Sequence, residues 1–503
     1  PTHFPDVANM TLARAIGIDS LHAQPQNTAR TKIAAAIVQK GVSLPFATRH
    51  NGWVRSSNNW GQVCHGGLTA GALAVMELHP DLAARTVHNA LSNVTHSMAA
   101  FAPKGSYPEG PGYWAYGTGY NVLLIGVLES ALGTDFGLSL APGFDQTGQY
   151  PSLVGGPSGA FFNYADGGSG RGPEPFLFWF AARYGRPDWL LGERERLHTA
   201  LTDMARNPSA SRGDRFLPLT LLWLRDQPEA TDIRMPLHWS SEGETPITVH
   251  RSSWTDPHAT FIGFKAGSPS ANHGQMDIGS FVLDADGVRW ALDLGAEGYH
   301  GIEARGMNLW NRAQNSDRWT IFRQSNLGHN TLVIDDRLQQ AAASGKFVRF
   351  STNPAFPHSV IEMNDVYVGQ ATSVHRGVAL LPSGEVLIQD QLTGLTPGSH
   401  IRWGMITPGE PGELSGAVVQ LNRLEARLTL SILAPRQAAW RVMDTATPKN
   451  EWDSPNPGTR MLAFELTAPA SGELTLAVLA TPGSCRTSLK SSLTLRPLLE
   501  WGN

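Results

Sequence analysis

The sequence predicts a multidomain α+β protein, in which a helical N-terminal domain precedes antiparallel β-sandwich structure. Two observations carry this prediction. The chain has 503 residues, more than one ordinary hydrophobic core supports. Its hydrophobic period also changes from helical to alternating near residue 235. We therefore expect an (α/α) toroid over residues 1–235, a central sandwich over 236–400 and a C-terminal β-sheet region over 401–503.

Small apolar residues over 66–79 predict a helix that is buried against other helices. Pro80 and Asp81 end it and begin a second helix. Glycine-rich loops follow at 155–157 and 166–172. Paired helices joined by such loops are typical of a helical toroid or solenoid, with functional loops at one end. Further helices are predicted at 118–132, 176–184 and 189–204.

Short alternating segments dominate the second half of the chain. Turn signals at 285–287 and 382–384 separate several of them. Regular short strands between turns indicate a large antiparallel sandwich. The predicted strands are 248–254, 259–265, 279–284, 288–293, 330–335, 385–390, 428–433 and 473–479.

Composition narrows the class of protein. Hydrophobic residues make up 41% and charged residues 16%, which describes a globular chain. The net charge of −4 argues against nucleic acid or an anionic membrane as the main partner, while an acidic sugar polymer stays compatible where arginines cluster. No apolar run of about 18 residues predicts a transmembrane helix. Carbohydrate sites use flat aromatic faces, but we interpret most of the fifteen tryptophans as core residues.

Cys64 and Cys485 lie too far apart in sequence to define a disulfide framework or a metal site, and we interpret both as buried thiols. Pro1 is not a translation start. We therefore expect that a targeting segment or an upstream part of the protein has been removed.

One loop before a predicted helix carries Tyr107, Glu109, Tyr113 and Tyr116 among glycines and prolines. Its tyrosines either transfer protons or bond to the backbone of a rigid loop, and the residues alone favour neither. Residues 58–60, Asn-Asn-Trp, also precede a helix. Helix capping explains one of the two asparagines but rarely needs both. His65 in the following helix is predicted to be packed.

A second group of polar residues follows the change of period. If 273–277 begins a strand, then His273, Gln275 and Asp277 face one side. Together with Asp293 and His329 they form either a zinc site or a hydrogen-bonded network without metal. Nearby arginines steer an acidic polymer or form surface ion pairs, the second being our expectation for at least half of them. They are Arg251, Arg305, Arg312, Arg318 and Arg323.

These segments together resemble the heparinase II/III-like superfamily of polysaccharide lyases, over about residues 10–400. The resemblance is carried in order by 58–67, 107–117, 273–281 with Asp293, and 329–331. It implies an (α/α) toroid joined to β-sandwich domains and β-elimination at a uronic-acid-containing glycan. Relatives carry more helical sequence before Asn58. We therefore expect an incomplete toroid, or first helices that lie on a part not included here.

The resemblance also implies roles for particular residues. Tyr116 is expected to be the catalytic acid, or acid and base, with Tyr113 as second choice. Asn59, with Asn58 in reserve, neutralises the substrate carboxylate, and His273 acts as base or neutraliser. The expected substrate-binding residues are Tyr107, Glu109, Trp60, Arg323 and Arg305.

The resemblance further implies a structural zinc ion held by Gln275, Asp293 and His329. Gln275 stands where relatives carry a second histidine, and an amide is the weaker ligand. No organic cofactor is expected. The expected partner is an acidic polysaccharide or oligosaccharide, which indicates a periplasmic or secreted bacterial protein.

Three other functions remain open from the sequence. A glycoside hydrolase on a helical toroid would use Glu109 with Asp166 or Glu174 as paired carboxylates. A uronate epimerase would share proton abstraction at C5 without making a double bond. A non-catalytic glycan-binding protein would have kept the fold and lost the chemistry.

Overall fold

A computed structural model describes residues 3–20, 27–207, 215–224, 232–485 and 493–502. The chain forms two compact units. Unit 1 comprises Pro1–Tyr107, Gly112–Tyr150 and Gly172–Asp232, and unit 2 comprises Pro108–Pro111, Pro151–Arg171 and Ile233–Asn503.

The described part of the chain before residue 233 is helical, as predicted. The predicted start at Pro80 is observed, because proline suits the first turn of a helix. No helix in the described ranges is both long enough and apolar enough to span a membrane. The helices are α1 (Phe4–Ser20), α2 (Asn27–Ile37), α3 (Asn59–Ala74), α4 (Pro80–Asn93), α5 (Thr95–Met98), α6 (Pro111–Leu132), α7 (Tyr150–Leu153), α8 (Pro175–Tyr184), α9 (Glu193–Arg206) and α10 (Thr220–Trp223).

Helix α3 is the buried helix that its small residues predict. Close approach to its neighbours depends on glycine. A Cβ atom on Gly67 would lie 2.6 Å from the carbonyl oxygen of Ala8 in α1, and one on Gly66 would lie 2.6 Å from the carbonyl oxygen of Tyr120 in α6. Cys64, on the same helix, is fully buried, as expected.

Unit 2 contains three antiparallel sheets, with the orders β1-β2-β3-β4-β5, β12-β13-β14-β17-β10-β9-β8-β7 and β15-β16-β11-β6. One short helix, α11 (Tyr299–Glu303), lies between β5 and β6. The strands are β1 (His238–Ser240), β2 (Ile247–Arg251), β3 (Phe261–Lys265), β4 (Phe281–Ala285), β5 (Val288–Ala291), β6 (Leu332–Ile334), β7 (Lys346–Ser351), β8 (His358–Glu362), β9 (Ser373–Leu380), β10 (Val386–Thr393), β11 (His400–Thr407), β12 (Glu410–Pro411), β13 (Val418–Arg423), β14 (Ala426–Ala434), β15 (Arg441–Asp444), β16 (Arg460–Thr467) and β17 (Leu474–Pro482).

The eight-stranded sheet crosses the predicted boundary at residue 400. Strand β10 pairs with β9 on one side and with β17 on the other. Because strands from both sides of residue 400 share one hydrogen-bonded sheet, the two compact units do not divide there. Cys485, just after β17, is half-buried rather than buried, and its thiol donates to the carbonyl oxygen of Ser383.

A buried ion pair connects this sheet to the irregular segments that carry the candidate site. Arg376 in β9 lies opposite Asp390 in β10, with Nε 2.6 Å from Oδ1. Its Nη1 also donates to the carbonyl oxygens of Gly279 and Asn330, at 2.9 and 2.8 Å. One guanidinium therefore satisfies buried backbone groups that no strand pairing serves.

Candidate active site

His273 lies in an irregular segment before β4. The prediction that this segment begins a strand was wrong, because the first strand residue is Phe281 and His273 has a φ of 56°. Residues other than glycine rarely adopt this left-handed conformation, which costs roughly 1–3 kcal/mol and persists where the surrounding structure imposes it. Ala165, in the loop that contacts His273, has a φ of 59° as well.

The imidazole of His273 is held by Asp166. Its Nδ1 lies 3.0 Å from Oδ2 of Asp166. The hydroxyl of Tyr299 donates to the same carboxylate oxygen at 2.8 Å and lies 3.2 Å from Nδ1. A carboxylate on Nδ1 selects the tautomer with the proton on that nitrogen, which leaves Nε2 as the reactive nitrogen.

The second oxygen of Asp166 accepts further hydrogen bonds. Gln275 Nε2 lies 2.9 Å away, Gln324 Nε2 3.2 Å and Arg318 Nη2 3.4 Å. Burial raises the pKa of this carboxyl, but the hydrogen bond from His273 and the charge of Arg318 outweigh it and bring the pKa to about 2. Asp166 is therefore an ionised acceptor at neutral pH.

Nε2 of His273 faces a second carboxylate, that of Glu109, whose Oε2 lies 3.8 Å away. Both side chains are nearly buried. Aromatic rings complete the surroundings of the imidazole. The ring of Trp310 meets it edge-on with centroids 5.5 Å apart, and that of Tyr299 lies parallel to it at 6.4 Å.

A group of potential metal ligands lies two residues further along the chain. One oxygen each from Asp277 and Asp293 and one nitrogen of His329 lie within 4.8 Å of one another. His329 Nδ1 is 2.9 Å from Oδ2 of Asp293. Asp277 also forms a buried ion pair with Lys265, whose ammonium reduces the negative charge available to a cation.

Two buried atoms support a cation here. Neither Oε1 of Gln275 nor Nε2 of His329 has a hydrogen-bond partner in the described part of the chain. Unsatisfied buried polar atoms are costly, and a metal ion would satisfy both kinds. The residues present therefore fit a divalent cation. The ligand set Gln275, Asp293 and His329 remains a prediction, and Asp277 is a further candidate that the extended-strand argument had placed on the same face.

Unit 1 holds the tyrosines of the predicted site. Tyr116 is half-buried, and its hydroxyl accepts a hydrogen bond from Asn9 Nδ2 at 3.1 Å. The guanidinium of Arg215 lies 5.6 Å from its ring centroid. Burial raises the pKa of Tyr116, and the bond from Asn9 and the charge of Arg215 offset this only in part. Tyr113, one helical turn earlier, is half-buried too.

Residues 58–60 begin α3. Asn58 is the N-cap, and its side-chain oxygen accepts from the backbone N–H of Trp60 at 3.1 Å, so capping explains one of the two asparagines. Asn59 is the first helical residue and is buried, while Trp60 is half-buried against His3. The prediction that His65 is packed is confirmed. It is buried with a ring nitrogen 3.0 Å from the carbonyl oxygen of Val54, and burial lowers its pKa to about 4.

Tyr107 is buried, and its hydroxyl donates to Oε1 of Gln62 at 2.5 Å. This contact supports the loop from within. Its expected role in substrate binding remains a prediction that the burial does not favour.

The arginines separate into two groups. Arg251 and Arg318 are buried and donate to backbone carbonyls, so they are structural residues and not members of a basic surface. Arg323 is half-buried and donates to Asn456 Oδ1 at 2.8 Å. Arg305 and Arg312 are exposed and remain available to an acidic ligand.

Sequence reasoning missed Tyr299 and Trp310, and it considered Asp166 only as a hydrolase carboxylate. The available signal was weak. Asp166 opens the glycine-rich loop 166–172, and no local pattern relates that loop to residues 273 or 299.

Comparisons with known proteins agree with this architecture. A family model described as heparinase II/III-like, C-terminal, matches residues 248–480. The solved structure of heparan sulfate lyase HepC from Pedobacter heparinus is 12% identical and has a TM-score of 0.63, with 95% of this chain and 68% of that chain covered. A structure of heparinase III is 14% identical with a TM-score of 0.61, covering 96% and 70%. A search of curated proteins finds no match. The likeness confirms the predicted fold class, a toroid followed by antiparallel β-sandwich structure.

Proposed function

Because this chain belongs to the heparinase II/III-like family, we propose that it is a polysaccharide lyase, which cleaves a uronic-acid-containing glycan by β-elimination. One observation carries the proposal. His273 is held in a strained backbone conformation with Nδ1 on Asp166 and Nε2 toward Glu109. Strain of this kind concentrates at functional sites.

β-Elimination at a uronate makes three chemical demands. A base must remove the weakly acidic C5 proton, and a donor must stabilise the negative charge that develops on the neighbouring carboxylate. An acid must also protonate the bridging oxygen as the bond between C4 and that oxygen breaks. The products are one new chain end and an unsaturated uronate at the other.

His273 meets the first or second demand. Asp166 holds the proton on Nδ1, so Nε2 either accepts the C5 proton or, when protonated, donates to the substrate carboxylate. Asp166 stabilises the imidazolium in both cases, because its carboxyl stays ionised.

In unit 1, we assign Tyr116 as the acid and Asn59 as the neutraliser of the substrate carboxylate. Burial raises the pKa of Tyr116, which keeps its hydroxyl protonated at neutral pH. Asn59 is preferred to Asn58, because the side-chain oxygen of Asn58 is used as the N-cap of α3. Tyr113 is the alternative acid.

The state of Asp166 disfavours a glycoside hydrolase. Hydrolysis of this type needs one carboxyl with a raised pKa as general acid. Asp166 has a pKa of about 2 and accepts hydrogen bonds on both oxygens, so it supplies no proton. Glu109 is therefore left without Asp166 as the acid partner that the hydrolase alternative required.

The substrate we propose is an acidic polysaccharide. Two similar structures are named for action on heparan sulfate or heparin, so a heparan sulfate chain is the first glycan to test. We further propose that Gln275, Asp293 and His329, with Asp277 as a fourth candidate, hold a structural zinc ion that cross-links the segments before β4 and β6. A polymer substrate of this kind suits a periplasmic or secreted enzyme.

The test is ultraviolet absorbance of the unsaturated uronate, measured over a panel of uronic-acid glycans. The wild type is run beside Tyr116→Phe and His273→Ala. Absorbance on one glycan that both variants abolish supports the proposal. New reducing ends without absorbance would overturn it in favour of hydrolysis. Binding without either product would indicate a glycan-binding protein.

A further inference from the structure

Trp310 differs from every other tryptophan of this chain. All fifteen lie in described residues, and the other fourteen are buried or half-buried, whereas Trp310 is 47% exposed. An isolated exposed aliphatic residue needs no explanation. A large exposed indole beside a strained, nearly buried histidine is a different case.

The indole is fixed in place. Its Nε1 donates to Oε1 of Glu303 at 2.8 Å. The preceding residue, Leu309, is fully buried in a small apolar cluster with Ile302 and Ile321. The ring also meets that of Tyr299 edge-on, with centroids 5.0 Å apart. A preorganised aromatic surface loses little conformational entropy when a ligand stacks on it.

We propose that Trp310 is a stacking platform for the pyranose ring next to the uronate that reacts at His273. This inference rests on the proposed lyase function. A flat indole matches the apolar C–H face of a sugar ring, and aromatic side chains with a few polar groups are the usual lining of ligand sites. The contact of Trp310 with His273, at 5.5 Å between centroids, places the platform one ring away from the reacting group.

The charge nearby specifies the class of that sugar. Arg312 is exposed, two residues after Trp310, and its Nη1 donates to the carbonyl oxygen of Ser270 at 2.6 Å. This bond holds an exposed guanidinium close in the chain to His273. Guanidinium groups bind carboxylates and sulfates in preference to neutral hydroxyls. The ligand is therefore an oligosaccharide whose second ring carries an acidic group or adjoins one that does.

The first experiment compares two substrate lengths. Trp310→Ala, Trp310→Phe and the wild type are assayed on a long heparan sulfate chain and on the shortest oligosaccharide that the wild type cleaves. Loss of one stacking contact should raise KM for the long chain about tenfold and change kcat about twofold at most. Trp310→Phe should keep KM within about threefold, and the shortest substrate should respond much less. Leu424→Ala, an 87% exposed position elsewhere in unit 2, is the matched control and should behave as wild type.

A purely structural role would give another pattern. If Trp310 only supports His273 and Tyr299, Trp310→Ala would lower kcat equally on both substrates, and that result would overturn the inference. Glu303→Ala adds a second measurement. It releases Nε1 without removing the aromatic face, so it should raise KM less than Trp310→Ala does.

A binding measurement separates this inference from the proposed function. Calorimetry with a heparan sulfate hexasaccharide needs no turnover. If no glycan yields an unsaturated uronate but Trp310→Ala binds the hexasaccharide about tenfold more weakly than wild type, the platform stands and the lyase proposal fails. Equal binding by the two proteins, or no binding by the wild type, would overturn the platform.

Discussion

Nδ1 of His273 lies 3.0 Å from Oδ2 of Asp166, although 107 residues separate the two in the chain. Both sit at or beside a residue with positive φ, His273 itself at 56° and Ala165 at 59°. The fold thus bends two loops into uncommon conformations so that one carboxylate meets one imidazole. The pair orients the histidine, as carboxylates commonly do for catalytic imidazoles.

Replacing Tyr116 by Phe should lower kcat on the cleaved glycan by about 10²–10⁴-fold, because general acid catalysis contributes about that factor. KM should change little, since the ring keeps its packing against Tyr120 and Arg215. Tyr113→Phe is the matched control and should keep most of the activity. Steady-state ultraviolet assays check both, and the reverse ranking would transfer the acid role to Tyr113.

Glu109→Gln separates the lyase from the hydrolase. Its carboxylate lies 3.8 Å from Nε2 of His273, and the amide keeps its size while removing its charge. A lyase that relies on Tyr116 should retain measurable formation of unsaturated uronate. A hydrolase that uses Glu109 as its acid or nucleophile should lose nearly all formation of reducing ends, so both products are measured on the same samples.

Asp166→Asn should lower the free energy of unfolding at pH 7 by about 2 kcal/mol, the linkage value for a pKa that falls from 3.8 to about 2 on folding. Because the folded pKa is depressed, this stability is present above about pH 4 and is lost as the pH falls toward 2. The difference between wild type and variant should therefore shrink at low pH. Urea unfolding at pH 7 and pH 3 measures it.

The matched control for that experiment is Asp444→Asn. Hydrogen bonds from Thr447 bring the pKa of this exposed carboxyl to about 2 as well. Solvent screens its charge, and the asparagine amide keeps an acceptor oxygen, so the variant should be close to wild type at both pH values. An Asp166→Asn protein as stable as wild type at pH 7 would contradict the role assigned to the buried network.

Gly67→Ala should destabilise unit 1 by about 1–3 kcal/mol, because the added methyl would lie 2.6 Å from the carbonyl oxygen of Ala8 and would force α1 and α3 apart. Gly126→Ala in α6 should do the opposite. Its Cβ meets nothing within 4 Å, and alanine is the better helix former by about 0.5–1 kcal/mol. Thermal unfolding of the two variants should shift in opposite directions, and shifts of the same sign would contradict this packing.

A cation bound by Gln275, Asp293 and His329 should be lost on chelation. Purified protein should contain about one equivalent of metal by elemental analysis, and EDTA should lower Tm, because a ligand that binds only the folded state stabilises it. His329→Ala should abolish both effects. His258→Ala, an exposed histidine elsewhere in unit 2, should leave metal content unchanged. Metal-free wild type with an unaltered Tm would rule the cation out.

Local patterns in the sequence predicted most of the architecture. The glycines and alanines of 66–74 predicted a buried helix because small residues permit close helix packing, and Gly67 against Ala8 shows that contact. The alternating segments from Ile247 onward predicted antiparallel strands because side chains in a strand face opposite sides in turn. The order of the motifs also indicated the family that residues 248–480 match.

What the sequence by itself determined was therefore the set of elements, their order and the chemical types available to the site. The tertiary structure alone decided which of those residues meet. It placed Asp166, Tyr299 and Trp310 around His273, and it joined strands from both sides of residue 400 in one sheet. The physical reason is range. Periodicity is set by near neighbours, whereas contacts between loops more than a hundred residues apart depend on how whole elements pack.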